Sequence, residues 1–332
     1  MFNIYEDTNI YVLCPAYYKT GGTELAHQLV AEVNAQGGNA YITYYGNQPH
    51  NINPAFFRYV SEFKNIEEIE DDKKNIVVLP EIRPYELEHY KYIQKCVWWM
   101  SVDNYLKRYT LKGHLEYYGL LRTIKHILNK EFRHRSMCFA EEIVHLYQSE
   151  YAHQFLLKNR IKNSYRLSDY ISDEYMKQNY LLNKKDIVLY NPKKGIKFTK
   201  KIIQNTPYLH WKPLINMSSE EVKMALLESK LYIDFGSHPG KDRFPREAAI
   251  CGCCVITGKL GSAAYFEDVP IEPQYKFEDK EENMNAIIHK INDCIENFDP
   301  NYQRYENYRE FIRCEHSLFK EDVRKLFLEG TT

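Results

Sequence analysis

Short apolar runs rich in Val, Ile and Tyr alternate along this chain with longer runs whose apolar residues recur every three or four positions. The short runs predict strands at 9–15, 39–46, 75–81, 95–103, 142–149 and 163–170. Between the first two, "GGTELAHQLVAEVNAQGG" predicts a helix over 21–38. Leu25, Leu29 and Val33 fall four apart, and Gly37-Gly38 ends the run. The pattern then restarts. Strands are expected at 186–195, 209–217, 230–237 and 253–258, and a helix at 218–229 whose Ser and following acids make a capping box. A further helix should open near Pro245, a residue suited to a first turn. Helices fill the region from about 281 to 329.

Strand–helix alternation implies parallel strands with helical crossovers. The expected fold class is therefore α/β, with two Rossmann-like parallel-sheet domains facing a central cleft. The expected limits are 1–170, 171–315 and a C-terminal helix over 316–332 that packs back on the first domain. The hinge is placed in the polar stretch 168–185. Ligands of open parallel sheets bind beyond the carboxyl ends of the strands, so the functional site is expected there.

Composition narrows the class. At 332 residues the chain is long enough for two domains, and 44% hydrophobic with 27% charged residues is globular. A net charge of −1 gives no global field toward nucleic acid. Eight scattered Cys in a chain of this length read as reduced, buried side chains. Cys251 and Cys254 form a C-x-x-C without a second pair to complete a zinc site. No apolar run is long enough to span a bilayer, and the amino end carries early acids where a signal peptide carries a basic stretch. The expected location is cytoplasmic, with peripheral contact on the inner face of the cell membrane.

The chemistry concentrates in "DFGSHPGKDRFPREAAICGCCVITG", residues 234–258. A strand hands over to a helix here, so free N–H groups and a partial positive charge point at the loop. Gly240 lets the backbone approach a ligand, and Lys241 and Arg243 add charge. Together they suit a diphosphate. Glu247, in the first turn, can accept hydrogen bonds from ribose hydroxyls. Arg246 is expected to turn elsewhere, toward a carboxylate. In "YNPKKG", Lys193 or Lys194 sits at a strand's carboxyl end and can reach the same diphosphate. Gly21 and Gly22 follow the first strand, where they make either a tight turn or a close backbone approach. Asp103 ends a buried strand, where it either caps the next helix or orients a hydroxyl. No Asp-x-Asp is present, so no metal-bridged diphosphate is signalled and neither metal nor other cofactor is expected. Residues 106–135 hold eight Lys or Arg against two Glu, interleaved with Leu, Ile and Tyr. That stretch reads as an amphipathic surface for anionic lipid, or as an ordinary basic helix face.

"GGTE" after strand one, "YNPKKG" opening the second half and "HPGKDRFPREAAICGCCVITG" resemble the GT-B fold glycosyltransferases, and most of all the family-four type of bacterial surface-polysaccharide clusters. The resemblance implies a nucleotide-sugar donor in the second domain and a saccharide or lipid-linked acceptor in the first. It assigns the diphosphate to Lys193 or Lys194 with Lys241 or Arg243, and the ribose to Glu247. Gly21, Gly22, His238, Gly240 and Ser262 complete the donor-binding set. Where the family carries an earlier glutamate, this chain reads "SHPGKDRFP" with Asp242 as its acid. Asp242 and Asp103 are the catalytic candidates. The implied reaction is retaining, metal-independent transfer of a sugar to an acceptor hydroxyl. A sugar-nucleotide epimerase and a non-catalytic nucleotide-sugar-binding partner are the alternatives.

Overall fold

The computed structural model describes residues 1–46, 51–129, 139–176 and 183–329. The chain forms two compact units, Met1–Asp169 with Ser317–Thr332, and Tyr170–His316. In the first unit β1 (Asn9–Pro15) leads to α1 (Gly21–Ala35) and β2 (Asn39–Tyr45). The two-residue β3 (Lys64–Asn65), β4 (Ile76–Pro80) and β5 (Gln94–Trp99) follow. Three short helices come next, α2 (Val102–Tyr109), α3 (Leu111–Tyr118) and α4 (Leu120–Leu128). The unit's sheet is completed by β6 (Val144–Tyr147), α5 (Glu150–Lys158) and β7 (Ser164–Arg166). All strand pairs are parallel, in the order β3-β2-β1-β4-β5-β6-β7.

Burial on both faces explains why β4 and β5 read as continuous apolar runs. Trp98 and Trp99 point to opposite faces of β5, and both are buried. Each indole finds a partner. The Trp98 N–H donates to the Leu167 carbonyl at 3.0 Å, and the Trp99 N–H to His145 Nδ1 at 2.9 Å. A buried donor left alone would be costly.

The second unit runs β8 (Lys185–Tyr190), α6 (Ile196–Asn205), β9 (His210–Pro213), α7 (Ser219–Glu228), β10 (Ser229–Asp234), α8 (Arg243–Ile250) and β11 (Cys254–Thr257). Its sheet is parallel, in the order β11-β10-β8-β9. Then come α9 (Met284–Glu296), α10 (Phe298–Gln303) and the long α11 (Glu306–Phe327), which begins in the second unit and ends in the first. Within the first unit Phe327 stacks on Phe2 with ring centroids 5.5 Å apart, and Asp322 pairs with Arg166 at 3.0 Å.

Several elements depart from the sequence pattern. β1 spans its expected range, whereas most of the other strands end before their apolar runs do. β3 carries no apolar run of its own. Gly21 and Gly22 are the first residues of α1, capped by Thr20 with Thr23, and not a separate turn. α8 opens at Arg243, two residues before Pro245. Proline is tolerated there because the first four N–H groups of a helix have no internal partner. The capping box of α7 forms as its sequence predicts, from Ser218 and Glu221. Cys314 is exposed, whereas the other described cysteines are buried and free. Cys138 lies outside the described residues, as does part of the expected hinge.

Gly195 caps α6 with φ 59°, and a Cβ there would lie 2.3 Å from the Phe235 carbonyl oxygen. Gly195→Ala would add both backbone strain and a clash with backbone. It is expected to destabilise the second unit by well over about 1 kcal/mol, read as a lower midpoint in thermal denaturation.

Candidate functional site

In each sheet the strand order reverses between two neighbours, and such a point leaves a crevice at the carboxyl ends of the strands. In the second unit that point lies between β8 and β10. The loop after β8 carries Lys193 and Lys194, and the loop after β10 carries His238 to Asp242. The first loop lies against the second: Gly195 is packed on Phe235 and Gly236.

The Lys194 ammonium donates to both Asp242 oxygens, at 2.8 and 2.6 Å, while its side chain stays one-third exposed. Lys193 is exposed, and its backbone N–H donates to Asn191 Oδ1. Asp242 occupies the N-cap of α8 without a side-chain capping bond. Its carboxylate instead faces Lys194 and His238 Nδ1, the latter at 3.4 Å. His238 Nε2 lies 3.5 Å from Asp234 Oδ1. Asp234 is itself fixed by the Tyr232 hydroxyl and the Gly236 N–H, at 2.8 and 2.9 Å. Burial alone would lower the His238 pKa, but the two carboxylates outweigh it and raise it above the ordinary value. Burial likewise pushes Asp234 upward, but its bonds from His238, Gly236 and Tyr232 bring it below the usual carboxylate range.

Asp234, His238 and Asp242 each bring one atom within 4.8 Å of the others, the one such grouping among the described residues. The carboxylates face opposite ring nitrogens.

Lys241, expected at the diphosphate, is instead buried, with its ammonium 2.7 Å from Glu315 Oε1. Arg246 is fully buried and pairs with Glu315 Oε2 at 2.9 Å. It also donates to the carbonyls of Lys241 and Asp242. One carboxylate of α11 thus fixes Lys241 of the loop and Arg246 of α8, and their pairing answers the cost of burying charge. Arg243 is partly exposed, its Nε 3.5 Å from Glu247 Oε1. Glu247 is buried near the start of α8 and accepts a hydrogen bond from the Tyr175 hydroxyl. Ser262 is buried and donates to the Gly240 carbonyl at 2.6 Å, so it holds the loop's shape. Gly261 beneath it has φ 64°, and a Cβ there would meet the His238 carbonyl oxygen at 2.0 Å.

In the first unit the order reverses between β1 and β4. Gly21 and Gly22 open α1 directly after β1, with the free N–H groups of a helix start. A Cβ on Gly22 would touch only Met100, at 3.8 Å. Asp103 is not the cap of α2, since Ser101 fills that place. Asp103 lies in the first turn and accepts a hydrogen bond from the Tyr151 hydroxyl at 2.7 Å. The sequence reading passed over Glu81, which follows β4 at the reversal point. It is 3% exposed and accepts from the Met100 N–H at 3.1 Å. Its only sequence signal is an acid ending the buried run "IVVLP". Burial pushes its pKa up to about 7, offset in part by the Met100 N–H.

No family model matches the sequence, and no curated protein matches it. Solved structures do match the fold. Sucrose-phosphate synthase from Thermosynechococcus elongatus aligns over 95% of this chain and 96% of its own, at 11% identity and a TM-score of 0.61. Anabaena HepE, solved with UDP-glucose, aligns over 95% and 98%, at 11% identity and a TM-score of 0.60. WaaG, a glycosyltransferase involved in lipopolysaccharide biosynthesis, aligns over 97% and 100%, at 13% identity and a TM-score of 0.57. The chain has the GT-B fold, the two-domain α/β architecture of these glycosyltransferases.

Glu81 gives a testable pH dependence. Its folded pKa is raised, so its contribution is fully present below the unfolded value near 4.5 and is lost as pH rises through about 7. Glu81→Gln should leave stability unchanged near pH 4 and raise it at pH 8. The gain is on the order of 3 kcal/mol at about 1.4 kcal/mol per pKa unit, measured by urea denaturation at both pH values.

Proposed function

We propose that this protein is a glycosyltransferase that moves a sugar from a nucleotide-diphosphate sugar to an acceptor hydroxyl on a surface glycan or lipid-linked saccharide. The observation that carries this reading is the convergence of Lys194, Arg243 and the start of α8 at the carboxyl ends of β8 and β10, with Glu247 one turn along. Lys194 and Arg243 retain exposed surface for an anion, with Lys193 beside them. A diphosphate on the helix N-terminus would draw Lys194 from Asp242, and Glu247 would take the ribose hydroxyls. HepE, of the same fold, was solved with UDP-glucose, which supports a donor of this class. WaaG's part in lipopolysaccharide synthesis supports a surface-glycan acceptor.

In the retaining, metal-independent form of the reaction the bond from the sugar's anomeric carbon to the diphosphate breaks. The acceptor oxygen bonds that carbon from the same face, and its proton passes to the leaving diphosphate. The protein's part is charge neutralisation and orientation. The first unit holds the acceptor, near Asp103.

Thermal-shift binding against UDP, GDP, dTDP, ADP and CMP tests the donor site. One nucleoside diphosphate should stabilise the wild type, and Glu247→Ala should abolish that shift. No shift with any of them in folded protein would remove the donor reading and favour a non-catalytic role. Turnover of the matching sugar nucleotide then separates an enzyme from a binding partner.

The same reading includes a lipid surface. No described helix is long and apolar enough to cross a membrane. α4 is unusual because its apolar side faces outward. Leu120, Leu121, Ile124, Ile127 and Leu128 are all exposed, Leu121 at 83%. Its inward side is polar: Thr123 is buried and bonded to His114. Arg122 and Lys125 flank the apolar row, with Lys112 on α3 and Arg108 on α2, all exposed. This pairing of apolar face and positive rim suits an anionic bilayer. Residues 130–135 of the basic stretch lie outside the described residues. The protein should co-sediment with phosphatidylglycerol vesicles and not with phosphatidylcholine alone. Arg122→Ala with Lys125→Ala should weaken that binding more than about tenfold, at about 1 kcal/mol per basic residue. Equal binding to both vesicles would exclude the charge-led surface.

A further inference from the structure

The role of His238 goes further than donor binding. Its side chain is fully buried, and each ring nitrogen faces a different carboxylate. Neither nitrogen has a hydrogen bond of ordinary geometry. It cannot touch a ligand itself, because no part of it reaches the surface. It does link a rigid strand to the exposed edge of the site. The chain of contacts runs from Asp234 on β10 through the imidazole to Asp242 at the start of α8, and on to the Lys194 ammonium after β8.

The charges around it are balanced without it. Lys194, Lys241, Arg243 and Arg246 stand against Asp234, Asp242, Glu247 and Glu315, four cations against four carboxylates. Among these paired groups the imidazole's proton is the surplus positive charge, beside the exposed Lys193. With the proton on, Asp242 is shared between two cations, and Lys194 can leave it for a phosphate. With the proton off, Lys194 is the counter-charge left to Asp242 among the described pairs and is held more tightly, and the eight paired groups carry no net charge.

We propose that His238 is a positioning residue: its imidazolium carries the second half of Asp242's charge, and so frees Lys194 for the diphosphate. This rests on the donor-site reading above. The charged groups that face it are Asp234 from β10, itself bonded by the Tyr232 hydroxyl, Asp242 from the start of α8 and Lys194 from the loop after β8. Their combined effect keeps the proton on to a pH above the ordinary histidine value. Donor affinity should accordingly be full below that titration and fall as pH rises through it.

Three measurements test this, the first and the last of them independently of the donor reading. The first needs no ligand: histidine side-chain NMR of the full-length protein across pH 5 to 9. His238 should titrate above the free-imidazole value, and Asp242→Asn should move that titration downward. A titration below the free value, or one that Asp242→Asn leaves in place, overturns the proposal even if a nucleotide binds. The second uses the sugar form of whichever nucleotide stabilises the protein, because a diphosphate diester does not itself titrate near neutrality. Its affinity for wild type should fall by up to about tenfold per pH unit above the titration, the limit for one linked proton. His238→Gln should bind weakly with a flat profile. A wild-type profile as flat as that of His238→Gln overturns the proposal. If no nucleotide binds, the donor reading fails, and the NMR result still decides whether His238 holds Asp242. As a last arm, Zn²⁺ or Mn²⁺ is added to wild type and to His238→Gln. A stoichiometric stabilisation confined to wild type would make His238 a metal ligand and overturn the positioning role.

Discussion

Because β8 and β10 run parallel and adjacent, the loops leaving their carboxyl ends must share one edge of the sheet. Gly195 seats one loop against the Phe235 carbonyl of the other, at a distance that admits no Cβ. That contact sets where Lys194 stands relative to Asp242, and through Asp242 where the start of α8 stands. Lys194 and Asp242 are 48 residues apart, yet they meet at hydrogen-bond distance because the two strands are neighbours.

Charge is the second constraint. The segment from Lys241 to Glu247 carries more ionic groups than a buried turn can hold without partners. The structure sorts them by depth. Arg246 and Lys241 go inward and meet Glu315 from α11, which fixes the loop to the helix that closes the second unit. Lys194 and Arg243 keep some exposure, each against a carboxylate that a ligand's charge could replace. His238 lies between the two groups, buried like the first and coupled to the second. The proposed donor site calls for cations held in place by exchangeable partners, and these two pairs are of that kind.

The first unit repeats the geometry with other chemistry. Gly21 and Gly22 open a helix after β1, and Glu81, whose pKa burial pushes up to about 7, follows β4. Asp103 is further along the same edge and is held by Tyr151. The outward apolar row of α4 belongs to a separate surface of this unit, where packing gave the polar residues the inside.

The sequence by itself determined most of the succession of strands, though not β3 or the short helices α2 to α4, because apolar periodicity reflects which faces are buried. It also determined the two-fold restart of the pattern and the segment where cations, glycines and a helix start come together. Pairings between distant residues were decided only by the tertiary structure. Nothing local distinguishes Lys241 from Lys194, both being lysines beside a glycine in a turn. One is buried against Glu315, 74 positions away on α11, and the other stays one-third exposed against Asp242, 48 positions away at the start of α8. Likewise His238 reads in the sequence as a loop residue free to meet a ligand. It becomes a buried bridge only when β10 supplies Asp234 on one side and the α8 start supplies Asp242 on the other. Local sequence fixes which residues can carry charge, and long-range packing fixes which of those charges are already paired.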